Sequence, residues 1–461
     1  MHYTTLQTQQ RLTLAPTPLA QGGEGAIHTV QGRPDLVAKL YTQHTAARAR
    51  KLQAMIAAPP VDPEASRGGC SIAWPTDLLT DAQGGTVGVL MPRVTGQELQ
   101  FLLRPQLRQK ALPAFTYEAL LVVGHNLAAA YEAVHQQGHA ICDTNPLNSL
   151  VDDQGRVTLV DCDSMQVVDP ATGRVHRCPV GVDLFTPPEY QGRRYDSYDS
   201  GPGHDAFGLA VLLFMLLMEG THPFAGRPNP QKLPKHPLDR IADRIGAGAF
   251  PYLKATAQGY QPRPASPPLT LLSPALRQLV STCFVDGHAD PDQRPSATAW
   301  QAALADELQH LNTCSHHNYH RYPAHLATCP WCERQRRLRI DPFGPLAPPP
   351  PTPPRRPQPR PAPPVSPTRT PAQWQGWLQH QVPVAPQSPT GTPIAATPTK
   401  VQRAASPLLQ SPTGRLRTTQ LAHLFSKLTT AATLRAAPIR VSGQANAAVP
   451  TRVNGPRLHH P

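Results

Sequence analysis

Two aspartates and an asparagine stand at a fixed spacing in this chain. Asp143 and Asn148 lie five residues apart in HAICDTNPLNSLV, and Asp161 follows thirteen residues later in VTLVDCDS. Carboxylate and carboxamide oxygens are ligands that Mg²⁺ accepts, and a carboxylate beside a hydroxyl group can take its proton. Phosphoryl transfer uses both functions in one site. These three residues are therefore candidates for that chemistry.

A glycine-rich turn lies upstream, in LAQGGEGAIHTV at residues 19–30. Glycines at 22, 23 and 25 would let backbone N–H groups approach phosphate oxygens. Lys39 follows as the only charge in the apolar strand LVAKLY and would supply a fixed positive charge. Alone this is weak evidence, because glycine-rich hairpins are common and Ala20 replaces the first glycine of a G-x-G-x-x-G pattern.

The elements that must position these residues occur in a definite order. The glycine-rich hairpin and the lysine strand precede a helical stretch, HTAARARKLQAMIAA, two strands, SIAWPTDLL and TVGVLMPRV, and a helix, YEALLVVGHNLAAAYEAVHQQG. Over roughly residues 12–310 this order resembles the protein-kinase family. The resemblance implies an α+β, two-lobed kinase-like fold, with an N-lobe over about 12–95 and a C-lobe over about 96–310.

The resemblance implies a role for each matching residue. Asp143 matches the catalytic-loop aspartate that orients the acceptor hydroxyl, and Asn148 and Asp161 match two ligands of Mg²⁺, with Mn²⁺ as an alternative metal. The glycine hairpin and Lys39 would hold the phosphates of ATP, and residues 91–94 would form the adenine hinge. The implied nucleotide-binding set is Gly22, Gly23, Gly25, Lys39, Met91, Val94, Asn148 and Asp161.

The second half of the kinase-like region carries structural motifs of the same family. TPPEY at 186–190 is similar to the A-P-E motif, with Glu189 as its acid, and DPDQRPSATAW matches the D-x-x-R-P motif. Arg294 is therefore the expected buried partner of Glu189. Asp205, at the start of the apolar run HDAFGLAVLLFMLL, is expected to brace the catalytic loop.

Several departures from the family pattern bear on activity. Cys142 replaces the arginine that normally senses a phosphorylated activation loop, so activation by loop phosphorylation is not expected. Asn145 replaces the lysine two residues past the catalytic aspartate, and the D-F-G motif reads DCD, with Asp163 in its third position.

A further departure is the missing partner of Lys39. The family places a glutamate on the helix after the lysine strand, but no acid occurs between Tyr41 and Ala58. Asp62 or Glu64 in the following loop would be substitutes, or Asp163 would help to hold the metals. The sequence leaves these alternatives open.

A second unit follows at residues 311–340 and contains CSHHNYHRYPAHLATCPWCERQRR. Zn²⁺ prefers four thiolate or imidazole ligands in a tetrahedron, and a C-x-x-C turn presents two thiolates suitably. Cys329 and Cys332 form that turn, Cys314 is the third ligand, and His320 is preferred to His325 or His317 as the fourth. So short a unit needs a metal to fold, which predicts a zinc-ribbon-like module. A thioredoxin-like redox pair is the competing interpretation, but the surrounding domain that such a motif requires is missing.

The basic charge belongs to the C-terminal tail. The chain of 461 residues has a formal net charge of +13, and residues 342–461 contain thirteen Lys and Arg with no Asp or Glu. Subtraction leaves 43 − 13 = 30 basic and 30 acidic residues before them, and 26 of the 57 prolines also fall in this segment. Residues 341–461 are therefore predicted to form a disordered, Pro-rich basic tail. A solvated linker is favoured over a nucleic-acid-binding role for this tail.

The remaining features bear on compartment. The N-terminal sequence lacks the charged and apolar regions of a signal peptide, and the apolar run at 206–218 is too short to span a bilayer and predicts a buried helix. Eight cysteines without a disulfide-rich pattern favour a reducing cytoplasm.

The kinase-like region together with the CPWC unit resembles bacterial eukaryotic-like serine/threonine kinases with a C-terminal CPWC module. The resemblance implies a magnesium- and ATP-dependent kinase that acts on protein substrates in bacterial signalling. Such kinases are often encoded beside a metal-dependent protein phosphatase and a von Willebrand A domain protein, which would be partners. The alternative is a pseudokinase scaffold that binds nucleotide or partner proteins without transferring phosphate.

Overall fold

A seven-stranded antiparallel sheet forms the N-terminal part of the chain. In the computed structural model, which describes residues 1–234, 237–339 and 341–344, the strand order is β2-β1-β6-β7-β5-β4-β3. The sheet buries an apolar cluster that includes Leu14, Ala38 and Leu79. Its strands are β1 (His2–Thr5), β2 (Arg11–Thr13), β3 (Ala20–Gln21), β4 (Gly25–Val30), β5 (Arg33–Tyr41), β6 (Asp77–Thr80) and β7 (Thr86–Pro92).

Helix α1 (Ala46–Ala57) connects two strands of this sheet. It begins after Thr45, whose side chain caps it by accepting a hydrogen bond from the backbone of Arg48. Leu52 and Met55 are buried, and the indole of Trp74 donates to the Met55 carbonyl at 2.8 Å. The apolar face of α1 is therefore fixed against the chain that leads into β6.

The following region is mainly helical. The long helix α3 packs against α4 and α8, and α4 is buried from His204 to Leu217, as predicted for the apolar run. The helices are α2 (Pro105–Ala111), α3 (Tyr117–Gln136), α4 (Pro202–Leu217), α5 (Ile241–Gly246), α6 (Pro274–Ser281), α7 (Gly287–Ala289), α8 (Ala297–Gln309) and α9 (Pro330–Leu338).

Short strands lie between the helices of this region and position its loops. Ser71 and Ala73 exchange backbone hydrogen bonds with Leu159, which ties the N-terminal sheet region to β10. The short strands are β8 (Gln97–Glu98), β9 (Ser149–Val151), β10 (Val157–Leu159), β11 (Val167–Val168), β12 (Val175–His176), β13 (Arg227–Pro228), β14 (Tyr260–Gln261), β15 (Leu311–Thr313) and β16 (Arg321–Pro323).

The architecture confirms the α+β class predicted from the sequence. All eight cysteines lie within the described residues and are free thiols. Among the described helices, none combines the length and apolarity needed to cross a membrane. The predicted disordered tail falls almost entirely outside the described residues, which end at residue 344.

Candidate active site and candidate metal centre

The structure brings Asp143, Asn148 and Asp161 to one small pocket. Asp143 lies in the loop after α3, Asn148 immediately precedes β9, and Asp161 lies two residues past the end of β10. The Asn148 amide donates to the Asp143 carboxylate at 2.9 Å and to its backbone carbonyl at 3.2 Å. All three residues line the pocket, and Asp143 is only 4% exposed.

The backbone at Asp161 turns the chain toward β5. Asp161 has φ 59° and ψ 33°, a left-handed conformation that is uncommon for a residue with a side chain. A single 3₁₀ turn, Cys162–Ser164, follows, and the Ser164 hydroxyl donates to the Asp161 carbonyl at 2.9 Å. This turn places two carboxylates, Asp161 and Asp163, beside the same strand lysine.

Lys39 is the cation of the site. It lies on β5 between Ile27 of β4 and Val89 of β7, and it is 7% exposed. Its ammonium nitrogen is 2.6 Å from Asp161 Oδ1 and 2.7 Å from Asp163 Oδ1. Burial alone would lower the pKa of Lys39, but the charges of Asp163 and Asp161 outweigh it and raise the pKa above its usual value. Lys39 therefore stays protonated.

The partner of Lys39 was the part of the site that sequence reasoning missed. Asp62 instead accepts backbone hydrogen bonds from Ser71 at 2.7 Å and Ile72 at 3.0 Å, and Glu64 pairs with Arg67 at 3.0 Å. From the sequence, Asp163 is a candidate for holding the metals, whereas in the structure its carboxylate pairs with Lys39. The signal in the sequence is the Asp in place of Gly in the DCD motif, because it adds a second carboxylate two residues past Asp161.

The glycine-rich turn forms the β3–β4 hairpin. Gly22 donates its backbone N–H to the Gly25 carbonyl at 2.9 Å, and a side chain at Gly22 or Gly23 would meet open space. Gly25 is different, because a Cβ atom there would lie 2.1 Å from the Leu40 carbonyl oxygen. Close packing of β4 on β5 therefore requires glycine at 25, whereas positions 22 and 23 form an open tip.

The residues expected to form the adenine hinge lie at the end of β7. Met91 pairs with Val37 of β5, and Val94 follows two residues after the strand ends at Pro92. Both are partly exposed. This segment therefore leaves the sheet from β7, the strand next to the one that carries Lys39.

The expected brace of the catalytic loop is confirmed. Asp205, fully buried at the start of α4, accepts backbone hydrogen bonds from Ile141 at 2.6 Å and Cys142 at 2.8 Å. His135 and His204 also contact its carboxylate, at 3.0 and 3.3 Å. Burial would raise the pKa of Asp205, but the hydrogen bonds from both histidines outweigh it and lower the pKa. A permanent anion thus fixes the two residues before Asp143.

The predicted pairing of Glu189 with Arg294 is also confirmed. The guanidinium of Arg294 donates to both carboxylate oxygens of Glu189, at 2.8 and 2.7 Å, and to the Gly287 and Gly203 carbonyls. A bidentate pair of this kind has a defined geometry. This pair ties the segment around Glu189 to the helical region.

A second cluster of polar side chains lies near the C-terminal end of the described chain. Candidate ligand atoms of Cys314, His320, Cys329 and Cys332 all lie within 4.8 Å of one another. Cys314 follows β15, His320 precedes β16, and the two other cysteines flank the start of α9. Sγ of Cys314 is 3.6 Å from Sγ of Cys332, and Nδ1 of His320 is 3.6 Å from both Cys329 Sγ and Cys332 Sγ.

These distances fit a tetrahedral metal. Zinc bonds of roughly 2.3 Å to sulfur and 2.0–2.1 Å to nitrogen separate two thiolates by about 3.8 Å and a thiolate from an imidazole by about 3.6 Å. Nε2 of His320 lies 3.0 Å from Asp341 Oδ1, so the carboxylate orients Nδ1 toward the thiols. Burial raises the pKa of Cys314, but hydrogen bonds from the His316 and His317 amides and the neighbouring thiols lower it to about 6. The cluster is compatible with zinc.

The alternative histidine ligands lie in other contacts. His325 Nε2 is 3.0 Å from the Thr270 carbonyl, and His317 Nδ1 is 3.1 Å from the Tyr319 hydroxyl. His320 is the histidine that meets all three thiols, and its side chain is fully buried.

The cysteine-histidine cluster is not isolated from the helical region. Trp331 is 1% exposed, and its ring centroid lies 5.3 Å from that of Tyr117 at the start of α3. Arg334 pairs with Glu219 and donates to the Ala265 carbonyl at 3.0 Å, while Arg108 donates to the Pro342 carbonyl at 2.8 Å. The described residues 311–339 and 341–344 therefore pack directly on the helices.

Comparison with known proteins agrees with the site. No protein-family model matches the chain. It is 35% identical over 326 residues to protein kinase YegI of Escherichia coli K12, covering 70% of this chain and 48% of the relative, and 34% identical over 319 residues to YegI of E. coli O157:H7. A shorter match, 27% over 138 residues, is to a probable serine/threonine-protein kinase of Clostridium perfringens.

The matches cover only part of each relative. The chain spans about half the length of the YegI proteins, with 48% of each covered, and 18% of the Clostridium protein. All three relatives are named as protein kinases. The matches support a bacterial protein-kinase family for this chain.

Proposed function

We propose that the chain is a serine/threonine protein kinase that transfers the γ-phosphate of ATP to protein hydroxyls. The observation that carries the proposal is the convergence of Asp143, Asn148 and Asp161 on one pocket, with Lys39 paired to Asp161 at 2.6 Å. A general base, two oxygen ligands and a fixed cation are the groups that phosphoryl transfer uses. The similarity to kinases over 70% of the chain supports the same conclusion.

Each residue would act in a defined way. Asp143 would accept a hydrogen bond from the acceptor hydroxyl and orient its oxygen toward the phosphate. Lys39 would neutralise phosphate charge, and the amide of Gly23 would approach the phosphates from the open hairpin tip, which the Gly22–Gly25 hydrogen bond closes behind it. Asn148 and Asp161 would hold magnesium, which neutralises the charge that develops on the transferred group. Met91 and Val94 would contact the adenine.

The cluster of Cys314, His320, Cys329 and Cys332 would hold a structural zinc ion. Four protein ligands leave no open coordination position, which is typical of structural rather than catalytic sites. We assign this module to residues 311–340, after a kinase-like domain over about 12–310 with lobes that divide near residue 95. The two-lobed organisation is part of the same proposal.

The cellular context is proposed on the family resemblance. Protein substrates follow from kinase activity, and a cytoplasmic location suits eight free thiols. A metal-dependent phosphatase and a von Willebrand A domain protein remain proposed partners that rest on the resemblance alone.

Incubation of the purified full chain with γ-labelled ATP, Mg²⁺ and a generic protein acceptor tests the proposed activity. We expect label on serine or threonine of the acceptor or of the chain itself, and loss of the label when EDTA is added. Binding of Mg-ATP without label on any acceptor, measured by calorimetry in parallel, would contradict the proposal and favour the pseudokinase alternative.

A further inference from the structure

Asp163 pairs with Lys39 in a site whose family pattern would supply a glutamate from the preceding helix. We propose that Asp163 is the positioning residue of this active site, and that its carboxylate holds the Lys39 ammonium group in place for the phosphates of ATP. The inference rests on the proposed kinase function. It extends that function by assigning to the third residue of the DCD motif the task that α1 cannot perform.

Both carboxylate oxygens of Asp163 are engaged by β5. The Lys39 ammonium nitrogen lies 2.7 and 2.8 Å from the two oxygens, and the Tyr41 hydroxyl donates to Oδ2 at 2.9 Å. Lys39 and Tyr41 are two residues apart, so the pleat of the strand turns both side chains to the same face. The side chains of Lys39 and Asp163 are 8% and 7% exposed. Two donors on a rigid strand therefore fix this carboxylate in orientation.

The two acids beside Lys39 differ in what else they can bind. Asp161 lines the pocket and its side chain is 22% exposed, so it is available to the proposed magnesium ion. Asp163 is more deeply buried and directs both oxygens to Lys39 and Tyr41. When a metal takes Asp161, Asp163 keeps Lys39 in position. Without Asp163, the only remaining acid of the pair would be the one that the metal requires.

Helix α1 contributes a base and no acid to this part of the site. Its twelve residues, AARARKLQAMIA, contain no Asp or Glu. Lys51 of α1 donates instead to the Ser164 carbonyl at 3.1 Å, next to Asp163. The Lys39–Asp163 ion pair thus joins β5 to the turn after Asp161. The same turn carries the proposed metal ligand, Asp161, so one turn positions both groups.

The first test uses the full chain without nucleotide. We expect Asp163→Asn to lower the thermal midpoint by several degrees, because Lys39 loses a buried partner. In a Lys39→Met background, Asp161 and Asp163 repel each other because no cation lies between them. The same change should therefore raise the midpoint there, because it removes one of the two charges. Asp169→Asn, in the same segment but bonded to Thr172, is the matched control and should have the same effect in both backgrounds. Equal losses from Asp163→Asn in both backgrounds would overturn the pairing.

The second test measures Mg-ATP affinity by calorimetry and, where transfer occurs, the KM and kcat. Asp163→Asn should raise the Kd and KM for Mg-ATP at least about tenfold, and Asp163→Glu should recover much of this loss because it restores the charge. A general structural defect would lower kcat without this selective rescue. A Kd within about twofold of wild type in Asp163→Asn would overturn the proposal. Binding by the wild type without transfer would contradict the kinase activity alone, since the affinity comparison still judges Asp163.

Discussion

Asp161 is the residue with two demands on one carboxylate. It pairs with Lys39 at 2.6 Å, and in the proposed complex with Mg-ATP it would bind magnesium. Lys39 can release it because Asp163 supplies a second anion. On this proposal, Lys39 can lose its contact with Asp161 when the metal binds, but it needs its contact with Asp163.

Replacement of Asp161 tests this division of roles. Asp161→Asn removes the charge of a proposed metal ligand, so we expect the gain in ATP affinity on adding Mg²⁺ to fall by about tenfold or more. ATP affinity in EDTA should change little by comparison. Titration calorimetry with and without Mg²⁺ measures the difference, and Asp169→Asn is the control. An unchanged magnesium dependence in Asp161→Asn would contradict the ligand assignment.

At the scale of elements, the segment that carries the cysteine-histidine cluster packs on the helical region. Trp331 packs on Tyr117 of α3, and Arg334 pairs with Glu219 just beyond α4. These contacts involve residues that lie more than a hundred positions apart. Loss of a bound metal should therefore destabilise the helices as well as the segment that carries the cluster.

Metal analysis and melting of the full chain test this coupling. We expect about one zinc per molecule, lost in the double variant Cys329→Ala with Cys332→Ala. Because Trp331 lies between those cysteines, the thermal midpoint should fall by about 5 °C or more while the kinase-like region still folds. Cys70→Ala, a partly exposed thiol outside the cluster, is the control. Full zinc retention in the double variant would contradict the assignment.

The sequence predicted those parts of the site that depend on local spacing. Asp143, Asn148 and Asp161 lie within nineteen consecutive residues, and the C-x-x-C turn fixes two thiols by itself. The Asp163 partner of Lys39 lies 124 residues away, and either of two other acids satisfied the same pattern. Only the tertiary fold distinguishes the three acids. It shows, for example, that the Asp62 carboxylate accepts hydrogen bonds from backbone amides of its own loop.

Fold prediction had the same limit. The buried helix α4 follows from an unbroken apolar run, so periodicity and length were sufficient. Strand β1 contains only four residues, HYTT, and owes its place to pairing with β2 and β6. The packing of Trp331 on Tyr117 of α3 likewise depends on a contact between residues that are distant in the sequence.

At the scale of the whole molecule, His222 links the helical core to the segment before Glu189. Its Nε2 donates to the Leu184 carbonyl at 2.8 Å, and its Nδ1 accepts from the Phe224 amide at 3.2 Å. Acceptance at Nδ1 requires the neutral ring, because a protonated ring is a donor at both nitrogens. Burial lowers the pKa of His222 to about 4, against 6.5 for an ordinary histidine. The unfolded chain thus binds a proton more readily than the folded chain.

This difference predicts acid sensitivity. Because the folded pKa is the lower one, stability that is present above pH 6.5 should be lost as the pH falls toward 4, by up to about 3 kcal/mol. His222→Gln keeps a donor for Leu184 and should be less stable at pH 7 but show a shallower decline. Urea unfolding from pH 7 to pH 4 measures both slopes, with the exposed His310→Gln as control. Parallel slopes for wild type and His222→Gln would contradict the role of this ring.

The proposed phosphoryl transfer is tested most directly by Asp143→Asn in the full chain, with labelled ATP and calorimetry on the same preparation. In the proposed mechanism Asp143 acts on the acceptor hydroxyl, so label transfer should fall by orders of magnitude while the Kd for Mg-ATP stays within about threefold of wild type. The change is nearly isosteric and keeps an oxygen near Asn148, which holds the pocket in shape. Label incorporation unaffected by Asp143→Asn would contradict the account, because transfer would then not depend on the carboxylate assigned as its base.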